Sequence, residues 1–293
     1  MNNLKGCLKS ALSKVLPPSE LKRSYSSYDV VGDIAIIRLT GQSRKHGEVI
    51  AKTIMEVHKN VRTVLAQTGP VVGDFRLREL EYIAGENKTV TFHRESRCVF
   101  HVDVKNCYFS PRLFFERMRI ARSVKKGEVV VNMFAGVGCF SIIIGKHSCA
   151  VKVYSIDINP VAFNYMVENV RLNRLYGKVV PLLGDAKEII ERRLQRIADR
   201  VLMPLPEKAL EYFPYALSAL KRSGGWLHYY DFEHATKNEN VVEKVKVKAA
   251  RRLEELGVNF EIPFGRIVRA TGPNWYQVAL DIKVGNQQMS VAA

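Results

Sequence analysis

The sequence predicts an α/β fold in which a mainly parallel sheet closes in an antiparallel C-terminal hairpin and follows a small α+β module. Residues 129–141 have the pattern of a buried strand, a turn with two glycines and the start of a helix. Helical and strand patterns then alternate to the C-terminus, which is typical of a parallel sheet covered by helices. The connection between the last two predicted strands is too short for a crossover helix, so we expect that pair to be antiparallel.

The first part of the chain is predicted to comprise an N-terminal extension, residues 1–19, and the small α+β module, residues 20–105. Apolar residues recur at helical spacing in the extension, and alternate with polar residues in parts of the module. The predicted elements are a helix ended by Pro17-Pro18, a strand pair at 28–39, an amphipathic helix at 46–58 and a hairpin at 88–104.

Residues 106–293 are predicted to form the larger domain. Its first helix is expected at 111–123, because Ser110-Pro111 supplies an N-cap residue followed by a proline suited to the first helical position. Asn159-Pro160 repeats that arrangement before a later helix. The predicted strands are 129–134, 152–157, 179–183, 198–203, 225–231, 259–268 and 276–283.

The chain is strongly basic, with 45 Lys and Arg against 29 Asp and Glu and a formal net charge of +16 over 293 residues. Such an excess favours a polyanionic partner such as RNA, although charge alone does not distinguish RNA from DNA or an acidic membrane. The sequence contains no apolar run of transmembrane length, no secretory signal and no metal-ligand spacing among its five cysteines. We expect a cytoplasmic monomer that binds neither a metal ion nor a membrane.

The turn after the strand at 129–134 carries the most specific signal. Gly136 and Gly138 let the backbone approach a ligand, and the next strand ends at Asp157, whose carboxylate can accept ribose hydroxyls. The turn lacks the third glycine of the dinucleotide fingerprint, so a strand–turn–helix with another ligand is the alternative. Asn-Met-Phe-Ala-Gly-Val-Gly-Cys-Phe followed by Asp-Ile-Asn-Pro resembles the cofactor and acidic loops of S-adenosylmethionine methyltransferases that act on RNA, whose sheet is Rossmann-like.

Glu116 is a candidate base. It lies one and a half turns inside the predicted helix that begins at Pro111, and this brings it towards the sheet edge where ligands bind in open α/β folds. The alternative is an ion pair with Arg119, three residues along a solvent-exposed helix face. Spacing alone favours that surface pair.

Three motifs, in order along the chain, resemble the tRNA guanine-37 N1-methyltransferases of archaea and eukaryotes over roughly residues 20–285. The resemblance implies transfer of methyl from S-adenosyl-L-methionine to N1 of the guanosine 3′ to the anticodon, on a tRNA bound by its anticodon arm. The motifs are Gly73-Asp-Phe-Arg-Leu-Arg-Glu-Leu, Tyr108-Phe-Ser-Pro-Arg-Leu with a following Glu-Arg, and Arg200-Val-Leu-Met-Pro-Leu-Pro.

The same resemblance assigns roles to individual residues. Glu116 matches the general base, Arg76 the arginine at guanine O6, and Tyr108 and Pro206 parts of the target pocket. N1 of guanine carries a proton at neutral pH, so a base must remove it, and an arginine can stabilise the charge that grows on O6. The residues predicted to bind the cofactor are Arg117, Phe134, Ala135, Gly136, Asp157, Ile158, Asn159, Asp185 and Ala186.

Two departures from the family pattern are visible. Pro204 stands where related enzymes often have an asparagine, so only the Pro206 match survives in that motif. Longer members carry an extra N-terminal domain, which we expect this chain to lack because barely twenty residues precede Leu21.

Four alternatives are weighed against this function. A homologous wybutosine-pathway enzyme transfers the aminocarboxypropyl group of S-adenosylmethionine to the same nucleotide, but Arg76, Tyr108 and Pro206 favour methyl transfer. Added activity on a wyosine precursor stays open. A catalytically inactive RNA-binding module is disfavoured by the intact Glu116 and Arg76. A DNA or protein methyltransferase would need an acceptor side chain where this chain has Met-Pro-Leu-Pro.

Two further features have open interpretations. His228 at the end of a predicted strand is more often a packed residue than a catalyst. The basic run 244–248, with Arg251 and Arg252, is either a solvated helix face or a contact to tRNA phosphates.

Overall fold

The computed structural model describes residues 10–13, 28–39 and 41–286, and the chain divides into two compact units, Met1–Arg112 and Leu113–Ala293. Of the predicted N-terminal helix, only residues 10–13 are described; Leu12 among them is buried in the core of the first unit. The rest of that prediction lies outside the described residues.

The first unit contains a four-stranded sheet and a separate hairpin. The sheet order is β1-β2-β3-β4, with β2 and β3 parallel and the outer pairs antiparallel. A 3₁₀ turn and helix α1 connect the parallel strands. The elements are β1 (Asp29–Val31), β2 (Ile34–Arg38), the turn Gly41–His46, α1 (Gly47–Val57), β3 (Thr63–Val72), β4 (Leu77–Gly85), β5 (Val90–Glu95) and β6 (Cys98–Asp103).

The predicted strand pair, helix and hairpin of this unit are confirmed, whereas β3 and β4 were not predicted. Gly69-Pro70 inside β3 is typical of a turn. The pairing of β3 with β4 instead shifts register between Gln67 and Val71, so an irregularity in the ladder accommodates the Gly-Pro pair. Helix α1 buries Ile50, Ala51 and Ile54 against the sheet.

The second unit is built on a seven-stranded sheet in the order β12-β13-β11-β10-β7-β8-β9. The strands from β11 to β9 are parallel, and β13 pairs antiparallel with both β11 and β12. The predicted Rossmann-like sheet with an antiparallel C-terminal hairpin is therefore confirmed. Its strands are β7 (Val129–Asn132), β8 (Lys152–Asp157), β9 (Val179–Leu183), β10 (Arg200–Met203), β11 (Gly225–His234), β12 (Phe260–Gly272) and β13 (Trp275–Val284).

Helices lie between these strands in the chain. A 3₁₀ turn, Pro111–Leu113, spans the boundary of the two units, and the first α-helix begins at Phe114, three residues later than predicted. Glu116 therefore lies in the first helical turn, where the positive end of the helix dipole favours a carboxylate. The helices are α2 (Phe114–Ser123), α3 (Cys139–His147), α4 (Pro160–Leu172), α5 (Ala186–Arg193), α6 (Pro206–Ala209), α7 (Phe213–Ala219) and α8 (Val241–Glu255).

Candidate active site

The loops that follow β10, β7, β8 and β9 lie side by side at the carboxyl edge of the sheet. Backbone hydrogen bonds continue the ladder beyond the strand ends, from Met133 N to Leu202 O at 3.0 Å and from Ala135 N to Ile156 O at 2.8 Å. This edge is where open α/β sheets bind ligands. Four sets of predicted site residues meet there: Phe134–Gly136, Asp157–Asn159, Asp185–Ala186 and Pro206.

The turn after β7 and the end of β8 form one hydrogen-bonded unit. Gly136 and Gly138 have φ of 56° and 91°, which only glycine adopts readily. A Cβ on Gly138 would lie 3.0 Å from Met166 Cγ, so a side chain there would also crowd α4. Asp157 accepts the backbone N–H of Gly136 at 2.5 Å and that of Asn159 at 3.0 Å. The carboxylate is thus held beside the glycine turn.

Burial raises the pKa of Asp157, while its two bonds from backbone N–H groups act in the opposite direction. The Asn159 side chain caps α4, accepting from Val161 N at 2.9 Å and Ala162 N at 3.4 Å, and Pro160 occupies the first helical turn as predicted. Ile158 between them is exposed. The Asn159 side-chain oxygen therefore serves the cap of α4, and the Asp157 carboxylate serves the glycine turn and the start of the same loop.

Asp185 begins α5 and is linked to the β7 loop by a residue that the sequence did not reveal. Its Oδ1 accepts Lys187 N at 2.7 Å, and its Oδ2 accepts the Tyr212 hydroxyl at 2.9 Å. The Tyr212 ring meets Phe134 edge to face at 5.2 Å. Burial, followed by the bond to Asp185, raises the pKa of the Tyr212 hydroxyl, which stays a donor. Tyr212 thus joins two predicted cofactor residues.

Glu116 is buried, with 2% of its surface exposed. It accepts Arg119 Nη2 at 2.7 Å and the Tyr230 hydroxyl at 2.8 Å. Tyr229 pairs with Met203, the last residue of β10, so Tyr230 lies one residue beyond the carboxyl end of that strand. Glu116 is therefore held at the same sheet edge as the loops above. The expected pairing with Arg119 exists, but the solvated face expected with it does not, because the carboxylate is inside the unit.

A chain of buried polar groups continues behind Glu116. Arg119 also binds Asp281, Asp281 accepts His228 Nδ1, and Arg200 contacts His228 Nε2 and binds Glu128. His228 is 1% exposed and lies inside β11 rather than at its end, a packed residue in this chain of groups.

Arg117 and Pro206 are both buried. Arg117 follows Glu116 on α2, and Pro206 is the first residue of α6, directly after the strand-end loop of β10. Pro204 and Leu205 are half-buried beside the fully buried Met203, so this loop presents an apolar wall at the carboxyl edge.

Arg76 and Tyr108 belong to the N-terminal unit and lie together within it. Gly73–Arg76 is the tight turn of the β3–β4 hairpin, closed by a 3.0 Å bond from Arg76 N to Gly73 O, and Arg76 has a φ of 54°. The Arg76 guanidinium lies 4.8 Å from the centre of the Tyr108 ring, a cation–π contact. The motif's second arginine, Arg78, instead binds Asp29 and the Phe109 carbonyl.

The basic run on α8 consists of paired charges. Each of its five basic side chains, Lys244, Lys246, Lys248, Arg251 and Arg252, lies within 4 Å of a carboxylate oxygen. Each of these charges is therefore partly neutralised, and a contact of this helix face with tRNA phosphates stays a prediction. Among the described residues, no helix is long and apolar enough to cross a membrane, and no cluster of three His, Cys, Asp or Glu could hold a metal ion.

Residues 91–258 match the TRM5/TYW2 methyltransferase domain, and residues 8–89 match the TYW2 N-terminal domain. The chain belongs to the TRM5/TYW2 methyltransferase family.

Its relatives in the family include two methyltransferases and one other transferase. A Pyrococcus abyssi tRNA (guanine(37)-N(1))-methyltransferase, Trm5b, is 40% identical, covering 91% of this chain and 78% of that protein. A Saccharolobus solfataricus tRNA 4-demethylwyosine(37)-methyltransferase, Taw21, is 37% identical, covering 87% and 92%. A Methanocaldococcus jannaschii tRNA(Phe) (4-demethylwyosine(37)-C(7)) aminocarboxypropyltransferase is 30% identical, covering 87% and 97%.

Two solved structures of family members are similar over most of the chain. A complex of aTrm5 with tRNALeu has a TM-score of 0.80 at 34% identity, covering 96% of this chain and 79% of that one. Methanocaldococcus jannaschii Trm5 in complex with adenosine has a TM-score of 0.73 at 35% identity, covering 92% and 77%.

Sequence reasoning missed Tyr212, Tyr230 and Asp281. Asp281 had a signal, because it is the one carboxylate in the largely apolar strand β13, and His228 stands between an apolar and an aromatic residue of β11. The two residues pair directly across the strands. Neither tyrosine had a comparable signal, since tyrosines commonly pack in strands and helices.

Proposed function

We propose that this chain transfers the methyl group of S-adenosyl-L-methionine to N1 of guanosine 37 in tRNA, the nucleotide 3′ to the anticodon. One observation carries the proposal: a buried carboxylate, Glu116, is held at the same sheet edge as the glycine turn and Asp157. The chain is a family member, and its 40% and 37% identical relatives are both methyltransferases that act at position 37 of tRNA.

The loops after β7, β8 and β9 fit a nucleoside. Gly136 has no Cβ, so a ligand can approach its backbone, and the Asp157 carboxylate lies beside it. The Phe134 ring packs against Tyr212, whose hydroxyl donates to Asp185. We assign Asp157 to the ribose hydroxyls and Asp185 to the adenine amine. Bound there, S-adenosyl-L-methionine supplies an electrophilic methyl group on sulfur. The related structure that contains adenosine supports this assignment.

Glu116 removes the proton from N1 of the guanine. Until that proton leaves, the N1 electron pair is not available to the methyl group, so the transfer depends on a base within reach. Because Glu116 is shielded from water and held by fixed donors, its position is set before substrate arrives. The Pro206 loop provides an apolar wall that keeps water from the reacting atoms.

We assign Arg76 and Tyr108, which lie together in the N-terminal unit, to the recognition of the target base. As N1 loses its proton, negative charge grows on O6, which the Arg76 guanidinium stabilises. We assign Tyr108 to contact with the base, which must leave its stack to be modified. We assign the module at 20–105, together with basic side chains on the surface of the larger domain, 106–293, to the anticodon arm, which the net charge of +16 supports. The enzyme would work in the cytoplasm as a monomer.

The decisive experiment uses S-adenosylmethionine carrying label either in the methyl group or in the carboxyl group. Each is incubated with the protein and an unmodified tRNA transcript that has guanosine at position 37, and the RNA is digested to nucleosides. The expected result is methyl label in N1-methylguanosine, and no label with a transcript that has adenosine at that position. Retention of carboxyl label, on this transcript or on a tRNA that carries 4-demethylwyosine at position 37, would instead identify the aminocarboxypropyl reaction.

A second activity, methylation of a wyosine precursor, is favoured by one observation. The Saccharolobus relative named as a 4-demethylwyosine methyltransferase is 37% identical, and the match covers 92% of that protein. A tRNA that already carries 4-demethylwyosine at position 37 tests it, since new methyl label in that nucleoside is expected only if the tricyclic base is accepted.

A further inference from the structure

Glu116 is held by side chains from three elements of the second unit. Oε1 accepts the Tyr230 hydroxyl of β11 at 2.8 Å and Arg119 Nη2 of α2 at 2.7 Å, whereas Oε2 accepts only Arg119 Nε at 3.0 Å among the hydrogen bonds of the described residues. The Arg266 guanidinium of β12 is 3.9 Å from Oε2. Helix α3 contributes the apolar ring of Phe140, 6.0 Å from that of Tyr230. Oε2 is therefore the less saturated oxygen and the one open to a substrate proton.

Arg119 binds a second carboxylate as tightly as the first. Its Nη1 and Nη2 donate to the two oxygens of Asp281 on β13, at 2.5 and 3.0 Å. Its Cζ lies 4.6 Å from the centre of the Phe264 ring. A guanidinium with a carboxylate on each of two edges and a ring on its face is fixed in place, and its single positive charge is shared between two negative ones.

Asp281 in turn is fixed by His228, which donates from Nδ1 at 2.7 Å. Arg200 can only donate, so its 2.7 Å contact with His228 Nε2 requires that nitrogen to be unprotonated. The imidazole is therefore neutral, in keeping with the burial that lowers the pKa of His228. The charged partner of Asp281 is Arg119.

We propose that Asp281 is a positioning residue for the base: through Arg119 it fixes Glu116, and by neutralising the guanidinium it keeps Glu116 basic enough to accept a proton. The proposal rests on the function proposed above. In that step the N1–H bond breaks and the proton goes to Oε2 of Glu116. The N1 electron pair forms the bond to the methyl carbon, and the C–S pair returns to sulfur. If Arg119 kept its whole charge for Glu116, the carboxylate would be a poorer proton acceptor.

The test is the pH dependence of the single-turnover rate, with enzyme saturated by S-adenosylmethionine and tRNA. Asp281→Asn removes the neutralising charge, so the inflection should move down by about one pH unit or more and the plateau should fall about tenfold. Tyr230→Phe removes a donor from Oε1, so its inflection should move up. In the double variant Arg119→Gln with Asp281→Asn both charges are absent, and the inflection should return towards that of the wild type.

Affinities for cofactor and tRNA should stay within about twofold in the Asp281→Asn protein. Asp199→Asn is the matched control. Asp199 is also an ion-paired carboxylate, 2.6 Å from Lys221, but it lies just before β10 at the opposite end of that strand, and its inflection should not move.

A lower rate in Asp281→Asn with an unmoved inflection would mean that the residue supports only the fold, and would overturn the proposal. If that variant shows no cooperative thermal unfolding, the double variant Arg119→Gln with Asp281→Asn decides, since an inflection well above that of the wild type would mean that Arg119 had not been neutralised by Asp281. A Glu116→Gln protein that retains the wild-type rate would instead remove the base assignment itself, which distinguishes failure of the proposed function from failure of the positioning role.

Discussion

The carboxyl edge of the sheet has two halves that hold their carboxylates in different ways. In the half formed by β7, β8 and β9, Asp157 is bound by two backbone N–H groups. In the half formed by β10, β11 and β13, Glu116 is bound by the side chains of Arg119 and Tyr230. The first set of donors is neutral and belongs to neighbouring loops, whereas the second includes the charged guanidinium of Arg119 and comes from separate elements.

The difference follows from what each carboxylate does in the proposed reaction. A carboxylate that binds ribose keeps one protonation state, so neutral donors that fix its position suffice. A base changes its protonation state during each turnover, so every charge near it alters the free energy of that change. Substitutions in the two halves should therefore affect different measured quantities.

The largest effect is expected from Glu116→Gln, which preserves the shape of the side chain and removes the proton acceptor. The single-turnover rate should fall about 10²-fold or more, while calorimetric affinity for S-adenosylmethionine changes little. Glu188→Gln on α5 is the matched control, because that side chain is 62% exposed and should leave both quantities unchanged. A variant with a near-normal rate would place Glu116 among structural ion pairs.

Asp157→Ala should weaken cofactor binding and have a smaller effect on the rate. The dissociation constant for S-adenosylmethionine should rise at least tenfold, a loss of about 1.4 kcal/mol, because the ribose hydroxyls lose their acceptor. At saturating cofactor the single-turnover rate should fall far less than in Glu116→Gln. Calorimetry measures the dissociation constant of this variant and of a control, Glu191→Gln, whose side chain is exposed on α5. Equal affinities in the two proteins would contradict the nucleoside assignment.

A third prediction concerns His228 and the pH dependence of the free energy of unfolding. Burial lowers the pKa of His228 in the folded protein below its unfolded value of about 6.5. The unfolded state then binds more protons, so the free energy of unfolding should fall as pH drops below about 6.5, by at most ~1.4 kcal/mol per pH unit. His228→Gln can accept from Arg200 and donate to Asp281 without titrating.

Urea unfolding between pH 5 and pH 7.5 tests this prediction. The wild-type curve should contain the His228 slope, and His228→Gln should lack it. The same change at His147, which ends α3 outside this group of residues, should leave the slope in place. Parallel curves for wild type and His228→Gln would mean that the imidazole is not held neutral.

The smallest effect is expected on α8. Because Lys246 lies 2.7 Å from Glu243, we expect little of its charge to be available to tRNA phosphates. Lys246→Gln should change the slope of log affinity against log salt by less than the ~0.9 expected for one phosphate contact. The slope is measured by titrating tRNA at salt concentrations between about 50 and 200 mM, a range in which affinities that depend on phosphate contacts change strongly. A loss of one full contact would instead assign this helix face to RNA binding.

The half of the edge formed by β7, β8 and β9 could be predicted from the sequence, because the residues that form it are close in the chain. Gly136 and Asp157 are 21 residues apart, and the strand–turn–helix pattern fixes both ends of that interval. Asn159-Pro160 also capped its helix as predicted, because capping depends on a few adjacent residues. Local signals failed at Ser110-Pro111, where a 3₁₀ turn precedes the helix, and at Gly69-Pro70, which the β3–β4 pairing absorbs.

The contacts of Glu116 could not be predicted from spacing, because the residues that form this half of the edge are far apart in the chain. Tyr230 is 114 residues from Glu116, and Asp281 is 162 residues from Arg119. Only the register of β11 against β13 brings His228 opposite Asp281 and both behind α2. Spacing identified the Glu116–Arg119 pair but favoured a solvated face, since an i, i+3 pattern contains no information about burial.

The central claim, that Glu116 performs the chemistry and Asp157 only binds, is tested most directly by one measurement. Single-turnover rates are recorded against pH at saturating cofactor and tRNA for the wild type, Glu116→Gln and Asp157→Ala. The wild-type and Asp157→Ala rates should rise together as the base loses its proton, whereas Glu116→Gln should stay low until guanine N1 ionises by itself. A Glu116→Gln curve with the wild-type rise would contradict the claim.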